Sequence, residues 1–511
     1  MADTKREIER KYESDDSGLP DLTGVAGVAS VVDKGVAHLD ATYYDTPDER
    51  LAAAAITLRR RTGGSDAGWH LKFPVAPGVR DEIRAPLSDT VPRSLAGLVR
   101  SRVRDAELRP VVRLLSDRDV RDLIDAQGRL LAEVSVDAVR AERLTGDGGF
   151  AQWTELEVEL ADGADPVFLD KVDKRLRRAG VRPSASASKL ARALTETAPR
   201  KKSTRKQGAK QQDAKQHKPR PPETAGDHVL AHLREQRDAI VALDPAVRQD
   251  TYDSVHRMRV ATRRMRSAFR SYAKVLDRTV TDPIGEELKW LAGELGVDRD
   301  AEVLTERLTA AMDELPRTLL SGPVRTRLRT WMNARRGGSR RRLTGVLDSK
   351  RYLVLLDRLD ALVADPPLLE AAAGTPRKAI AKAVRKDFGK LSELVEQAIG
   401  LEPGMDRDLA LHEARKKAKR TRYSAEVAAA ALGGPASALA KSMKSLQNLL
   451  GDHQDSVMTR QTLRELSAVA HAAGENAFTY GVLYAREEGR ATAAEAELPG
   501  AWQEAKAGMQ V

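Results

Sequence analysis

The sequence predicts an α+β chain of two unlike domains: an antiparallel β barrel, then an all-helical bundle. Two textures carry that prediction. Up to about residue 197, short runs of β-formers alternate with period two and stop at Gly or Pro. From about residue 223, Ala, Leu, Arg and Glu dominate, with apolar residues at helical spacing. Between them, residues 198–222 are rich in Lys, Gln and Pro and nearly devoid of apolar side chains. Such a stretch cannot bury a core and reads as a disordered basic linker, a tether that also attracts polyanions. The expected domains are therefore 1–197 and 223–511, joined by 198–222.

Composition narrows the function classes. At 511 residues the chain exceeds one ordinary core. Hydrophobic residues make up 41% and charged residues 32%, which suits folded domains with heavily charged surfaces. Aromatics are only 4%, and there is no base-reading motif, so nucleic acid is not an expected partner. With no cysteine, disulfides and thiolate metal sites are excluded, and a reducing compartment is compatible. The first residues lack the apolar stretch of a signal peptide, and no apolar run is long enough to span a bilayer, so a cytoplasmic protein with no membrane partner is expected. Of the net charge of +11, residues 199–221 contribute +8, nine Lys or Arg against Asp213. The arrangement of charge within each domain is therefore more informative than its sum.

The first strand is Glu7-Ile8-Glu9-Arg10-Lys11. In a strand, Glu7, Glu9 and Lys11 share one face, and Ile8, Arg10 and Tyr12 the other. Residues 38–46 form the next strand, ending at Pro47. Residues 56–61 follow with Thr57, Arg59 and Arg61 in one row, then Gly63-Gly64 as a turn. Residues 69–73 stop at Pro74, and 79–87 alternate Arg80, Glu82 and Arg84 against Asp81, Ile83 and Ala85. A helix is expected over 92–102. Strands resume at 111–124, 130–137 and 153–160, the first two joined by a turn at Asp125-Ala126-Gln127-Gly128. The last strand sets Glu155, Glu157 and Glu159 against Leu156, Val158 and Leu160.

The polar face is thus acidic at both ends of this half and basic between, through Arg59, Arg61, Lys72, Arg80 and Arg84. One explanation is an open sheet whose wet face carries complementary charges, favoured by ~0.2–1 kcal/mol per cross-strand pair. The other is a closed barrel whose acidic wall holds Mg²⁺ or Mn²⁺ and whose basic wall holds phosphate oxygens. The concerted pattern over five strands favours the barrel.

These motifs resemble CYTH domains, the triphosphate tunnel metalloenzymes, over residues 5 to 197. Glu7-Ile8-Glu9-Arg10-Lys11 matches their Glu-x-Glu-x-Lys signature. Tyr44-Asp45-Thr46, Leu58-Arg59-Arg60-Arg61, Leu71-Lys72-Phe73, Glu133 with Asp137, Glu155 to Glu159 and Ser188 to Leu194 follow in order. The resemblance implies an eight-stranded antiparallel tunnel that hydrolyses triphosphates with Mg²⁺ or Mn²⁺. It implies Glu7, Glu9 and Lys11 at the catalytic centre, and Glu7, Glu9, Glu155, Glu157 and Glu159 as metal ligands. It implies Arg59, Arg61, Lys72, Arg84, Arg118 and Lys189, the last on a closing helix, as phosphate-binding groups, with Arg113 a further candidate. Relatives of this kind include class IV-type adenylate cyclases, so cyclisation of ATP is an alternative activity. A tunnel that only binds polyphosphate, without catalysis, is another.

In the second half, Leu288 to Leu295 and Tyr352 to Leu356 are helical, and an internal repeat stands out. One copy is His256-Arg257-Met258-Arg259-Val260-Ala261-Thr262-Arg263-Arg264-Met265-Arg266. The other is His412-Glu413-Ala414-Arg415-Lys416-Lys417-Ala418-Lys419-Arg420-Thr421-Arg422. A second matched element follows each, residues 291–303 and 446–457, with Gly296 and Gly451 in register. At about 100° per residue, offsets 0, 3, 7 and 10 fall near 0°, 300°, 340° and 280°. His256, Arg259, Arg263 and Arg266 therefore form one stripe, and His412, Arg415, Lys419 and Arg422 the other. Two such stripes brought together by a pseudo-twofold bundle would cradle one long anion, for which inorganic polyphosphate is suited. The alternative is a pair of ordinary solvated helix faces.

The repeated His-x-x-Arg-x-x-x-basic-basic-x-Arg pattern resembles the CHAD domain, the conserved-histidine α-helical domain. That resemblance implies a bundle of two pseudo-symmetric four-helix halves that binds inorganic polyphosphate. It implies a binding set of His256, Arg259, Arg263, Arg264 and Arg266 with His412, Arg415, Lys419, Arg420 and Arg422. CYTH followed by CHAD is a known bacterial arrangement, so each resemblance supports the other. The expected partners are inorganic triphosphate and polyphosphate, with polyphosphate granules a further candidate.

Overall fold

The computed structural model describes residues 4–14, 18–199, 221–296, 299–336 and 338–509. Most of the expected basic linker, residues 200–220, lies outside the described residues. The chain divides into two compact units, one on either side of that stretch.

The first unit is a barrel. Its strands are β1 (Thr4–Glu13), β2 (Val28–Asp45), β3 (Thr57–Thr62), β4 (Gly68–Ala76), β5 (Val79–Ala85), β6 (Arg109–Asp125), β7 (Leu130–Arg143) and β8 (Phe150–Leu160). They run β5-β4-β3-β2-β6-β7-β8-β1, every pair antiparallel, and β1 also pairs with β5. That last pairing closes an eight-stranded barrel and leaves no edge between the first and fifth strands. A two-residue strand, β9 (Arg182–Pro183), adds to the end of β1.

Alternation sorts the side chains. The outward rows are apolar and lie under short helices. Val134, Leu156 and Val158 pack beneath α3 (Val167–Arg178) through Phe168, Leu169, Val172 and Leu176. Leu58, Trp69, Leu71 and Ile83 pack beneath α1 (Arg50–Ala53) and α2 (Arg93–Val103) through Leu51, Leu95, Leu98 and Val99. Because these aliphatic rows are buried outside, the intervening charged rows must face the lumen. One end of the barrel is stoppered by α4 (Lys189–Glu196), whose Leu190 and Ala193 are buried.

Three details differ from the sequence expectation. β2 begins ten residues before His38, and its extra length pairs with the far half of β6. That segment is largely exposed and lacks the apolar alternation that would announce it. β4 runs through Pro74 to Ala76, with a register shift between those residues. A bulge is one of the few places a sheet tolerates proline. The helix α3 did not stand out beside the stronger β pattern.

The second unit is helical. In order it contains α5 (Ala225–Arg248), α6 (Ser254–Ser271), α7 (Arg278–Glu294), α8 (Arg299–Asp313), α9 (Val324–Arg336), α10 (Ser339–Asp348), α11 (Lys350–Ala364), α12 (Pro376–Gly400), α13 (Met405–Leu432), α14 (Gly434–Ala472) and α15 (Phe478–Ala507). The two His-headed repeats fall on α6 and α13. Each stripe helix packs between its sequence neighbours, α6 between α5 and α7 and α13 between α12 and α14, and α6 also packs on α13. The pseudo-symmetry read from the repeat is therefore a symmetry of packing. The large core joins α5–α7 to α11–α14 through Met265, Leu288, Leu356, Leu391, Ala418 and Leu446. A smaller core joins α8 and α9 to the later parts of α14 and the start of α15. The copies differ at their second element. Regular helix ends at Glu294 in the first, whereas the 39-residue α14 continues through Gly451 in the second.

Candidate active-site tunnel and basic groove

The lumen holds both walls that the sequence predicted, interleaved more closely than expected. It is lined by Glu7, Glu9 and Lys11 of β1, Arg59 and Arg61 of β3, Lys72 of β4, Arg84 of β5, Arg118 of β6, Glu157 and Glu159 of β8, and Lys189 of α4. Register explains the interleaving. Lys11 lies opposite Glu157, Arg118 opposite Asp137, and Lys72 opposite Glu82. Opposed residues in an antiparallel pair share a face, so each acid is delivered beside a base.

Glu157 is the hub. It accepts from the ammonium of Lys11, from Arg118 at 3.1 Å, and lies 2.7 Å from Lys189 Nζ. Burial alone would raise its proton affinity, but Lys11, Lys189 and Arg118 outweigh burial and hold it well below the usual carboxylate range. Arg118 also grips Asp137 with two parallel bonds of 2.7 and 3.0 Å. Lys189 reaches Asp137 at 3.1 Å and Glu155 at 2.6 Å. Trp153 Nε1 donates to the other Glu155 oxygen at 2.6 Å.

Glu7 and Glu9 sit in unlike surroundings. Glu7 accepts from Lys72. Burial raises its proton affinity, Glu82 and Glu159 add to that, and Lys72 only partly offsets it. Glu9 lies 3.3 Å from Lys11 Nζ and 3.8 Å from Arg80 Nε. Burial is outweighed there by Lys11, Lys72 and Arg80, and its proton affinity is lowered. Arg61, buried among Arg59 and Arg118, falls to about 9, chiefly through burial. Its guanidinium pairs with Asp66 in the β3–β4 loop.

Sequence reasoning passed over several lumen groups. Glu82, fully buried, lies 3.4 Å from Lys72 and accepts from Arg84. His70 lies between Glu82, at 2.8 Å, and the Asp66 carbonyl, at 2.9 Å. The signal was present: residue 70 is two before Lys72, and residue 82 lies between two lumen arginines. Assigning whole strands to one sign of charge hid the acid on a basic strand. Arg113 faces outward and pairs with Asp40 at 2.6 and 3.0 Å, because an odd spacing separates it from Arg118.

Asp137, Glu155 and Glu157 bring carboxylate oxygens within 4.8 Å of one another, all buried. An all-oxygen, all-carboxylate donor set fits a hard divalent cation. Of the predicted ligands, Glu155 and Glu157 belong to this cluster. Glu7 lies beside Lys72, Glu9 beside Lys11, and Glu159 beside Lys5 at 2.8 Å.

In the helical unit every member of the two stripes is half-buried. The stripes converge: Lys419 of α13 feels Arg263 and Arg259 of α6 as well as its own Arg415. Burial first, then these three cations, lower its value to about 7, against the pull of Asp455. α14 holds the second stripe from behind, with His412 Nδ1 at 2.6 Å from Gln454 Oε1 and Arg415 at 3.5 Å from Asp455. The members at offset 8 stand apart, near 80° on the helix wheel. Arg420 donates to the Arg270 carbonyl at 2.8 Å and pairs with buried Asp387 at 3.0 Å. Arg264 pairs with Glu426, which also takes Arg422 at 3.3 Å. Arg264, Arg420 and Arg422 thus have intramolecular partners that fasten α6, α12 and α13 together. Among the described residues no helix is long and apolar enough to cross a membrane.

A family model for the CYTH domain matches residues 5–194, and one for the CHAD domain matches residues 231–464. Two Mycobacterium tuberculosis proteins, uncharacterized protein Rv2226 of strain H37Rv and uncharacterized protein MT2285 of strain CDC 1551, are each 40% identical over 497 residues, 94% of this chain and 92% of theirs. Among solved structures, PptA from Streptomyces chartreusis is 20% identical with a TM-score of 0.46, covering 55% of this chain and 100% of that one. The CHAD domain from the plant Ricinus communis is 21% identical with a TM-score of 0.42, covering 56% of this chain and 93% of that one. The chain belongs to one family with the two mycobacterial proteins and consists of a CYTH domain, of the triphosphate tunnel metalloenzyme superfamily, followed by a CHAD domain.

Proposed function

We propose that the tunnel is a metal-dependent hydrolase of inorganic triphosphate and that the helical domain binds inorganic polyphosphate. The observation that carries the first reading is Glu157 meeting Lys11, Arg118 and Lys189 inside one lumen. Each of these cations is paired with an acid, and the oxygens of a phosphate chain would offer the same cations charge-assisted contacts. Arg59, Arg61, Arg84, Arg118, Lys72, Lys11 and Lys189 would hold the phosphate oxygens. Fixed donors of this kind stabilise the charge that spreads over a transferring phosphoryl group. Mg²⁺ or Mn²⁺ held by Asp137, Glu155 and Glu157 would supply further charge neutralisation. Glu7, whose proton affinity is raised, is suited to take a proton from the attacking water. Glu9 stays anionic and orients Lys11 and Arg80.

The test is orthophosphate release from triphosphate with Mg²⁺ present. Glu7→Gln should lower kcat by about 10²–10⁴-fold, the usual range for a positioned base. Undiminished release would remove Glu7 from that role. ATP offered to the same enzyme should yield phosphate; cyclic AMP would instead support the cyclase alternative.

For the helical domain, the convergence of two half-buried cationic stripes supports a polyanion groove. Like charges on packed helices repel, and an extended chain of phosphates would relieve that repulsion.

A further inference from the structure

The helical unit brings together a second set of ligand-type side chains, none of them a member of the two cationic stripes. Asp408 of α13, His453 of α14 and Glu495 of α15 place one imidazole nitrogen and two carboxylate oxygens within 4.8 Å of one another. α13 and α15 both pack on α14, which is how three residues so far apart in sequence meet. His453 is 2% exposed, and its Nε2 faces Asp408 Oδ1 at 3.3 Å and Glu495 Oε1 at 3.1 Å. One N–H can point squarely at only one of two acceptors. Two carboxylate oxygens at nearly equal distance from one nitrogen instead suit an ion seated among all three atoms. Bonds of about 2.0–2.2 Å at tetrahedral angles set neighbouring ligand atoms about 3.3–3.5 Å apart, close to the spacing seen. The other carboxylate oxygens are held from outside. Glu495 Oε2 lies 3.3 Å from Arg407, and Asp408 Oδ2 lies 3.9 Å from Arg460, which also reaches Glu488 at 3.7 Å. Each carboxylate thus turns one oxygen toward the imidazole and one toward a guanidinium, the arrangement that outer partners impose on metal-bound carboxylates. Asp408, Glu488 and Glu495 against Arg407 and Arg460 leave one negative charge beside the imidazole.

We propose that Asp408, His453 and Glu495 form a binding site for a borderline divalent cation of the Zn²⁺ class, distinct from the carboxylate cluster of the barrel. An imidazole nitrogen in the donor set favours Zn²⁺ over Mg²⁺, which takes oxygen ligands. Three protein ligands leave a fourth position for water. The imidazole ligates through Nε2, so its proton stays on Nδ1 and the site fills with the neutral ring. The ion joins the first turn of α13 to α15 across α14. Gln454, the residue after His453, holds His412 of the second stripe at 2.6 Å. The ion therefore braces the helix that carries that stripe, and it does so whether or not the stripes bind polyphosphate.

The experiment uses the full-length protein, stripped with a chelator and returned to excess Mg²⁺ so that all-oxygen sites are supplied. Zn²⁺ is titrated by calorimetry, and Co²⁺ serves as a coloured stand-in whose visible bands report a nitrogen and oxygen set of low coordination number. The expected result is one Zn²⁺ per chain, a rise in melting temperature on adding it, and Co²⁺ bands that Zn²⁺ erases. His453→Gln and Asp408→Asn should each weaken Zn²⁺ binding by more than the roughly 10–100-fold that loss of an outer partner costs, and remove the bands. The barrel double variant Glu155→Gln with Glu157→Gln should keep both. Circular dichroism shows whether each variant is folded. If buried His453 does not tolerate Gln, Asp408→Asn decides alone, since the Asp408 side chain is 27% exposed. No Zn²⁺ bound in excess Mg²⁺, undiminished binding in a folded variant of this cluster, or loss that follows the barrel variant instead would each overturn the proposal.

Discussion

At the scale of single residues, the repeat carries more than its cations. A Cβ at Gly296 would lie 2.6 Å from Arg259 Nη2, whereas one at Gly451 would lie 3.6 Å from Arg415 Nη2. Both glycines make room for the arginine at offset 3, and the first copy is the tighter. Gly296→Ala should push the flexible end of Arg259 aside and weaken polyphosphate binding about fivefold, roughly 1 kcal/mol for one charge-assisted contact. The melting temperature should change little, and Gly451→Ala should be milder. Titration calorimetry with polyphosphate checks both. Lys419 makes a second prediction. Its folded value of about 7 lies below the ordinary lysine value of about 10.4. Between those values the unfolded chain binds more protons, so this residue makes stability rise with pH across that window. Polyphosphate affinity should move the other way, falling as pH rises past about 7 and the ammonium is lost. Lys419→Arg, which stays charged, should flatten that dependence.

At the scale of elements, α4 brings a buried cation to the acidic cluster of the tunnel. Lys189 is 7% exposed and lies at ion-pair distance from Asp137, Glu155 and Glu157. Replacing it by alanine leaves three buried carboxylates with less compensation, which should cost about 3–5 kcal/mol. A divalent cation would compensate the same carboxylates. The Lys189→Ala protein should therefore show a larger rise in melting temperature on adding Mg²⁺ than the parent. An equal rise would argue against a shared site. Elements were legible in the sequence where a charged row alternated with a buried apolar row, as in Glu155 to Leu160. They were not where both rows are exposed, as at the start of β2, or where a bulge absorbs Pro74. Closure of β1 onto β5 was not visible from local pattern, because it depends on a pairing of residues about 75 positions apart, Thr4 to Ile8 with Val79 to Ile83. His70 and Glu82 were passed over although both stand in charged rows; their pairing with each other at 2.8 Å appears only once β4 and β5 are brought side by side.

At the scale of the whole molecule, two units of unrelated fold each gather cations where a phosphate chain could lie. The repeat offsets were enough to predict the stripes, since helical phase is local. They did not reveal which basic residues fasten the helices, because Arg264 and Arg420 are as basic as their neighbours and only tertiary packing pairs them with Glu426 and Asp387. If the helical domain serves the tunnel by holding long chains, the two units should be separable by substrate length. Reversing charge at Arg263 and Lys419 together should leave kcat and KM for triphosphate unchanged. On the proposed reading triphosphate is bound by the lumen alone, and neither residue lines it. The same variant should raise KM for long polyphosphate, because each neutralised contact forgoes the release of a condensed counterion. Its affinity for long chains should also depend less steeply on salt than that of the parent. Measuring KM for both substrates across a salt series reads all three effects. A parallel loss on triphosphate would mean the substitutions act through folding, and unchanged KM for long chains would remove the groove from the reaction.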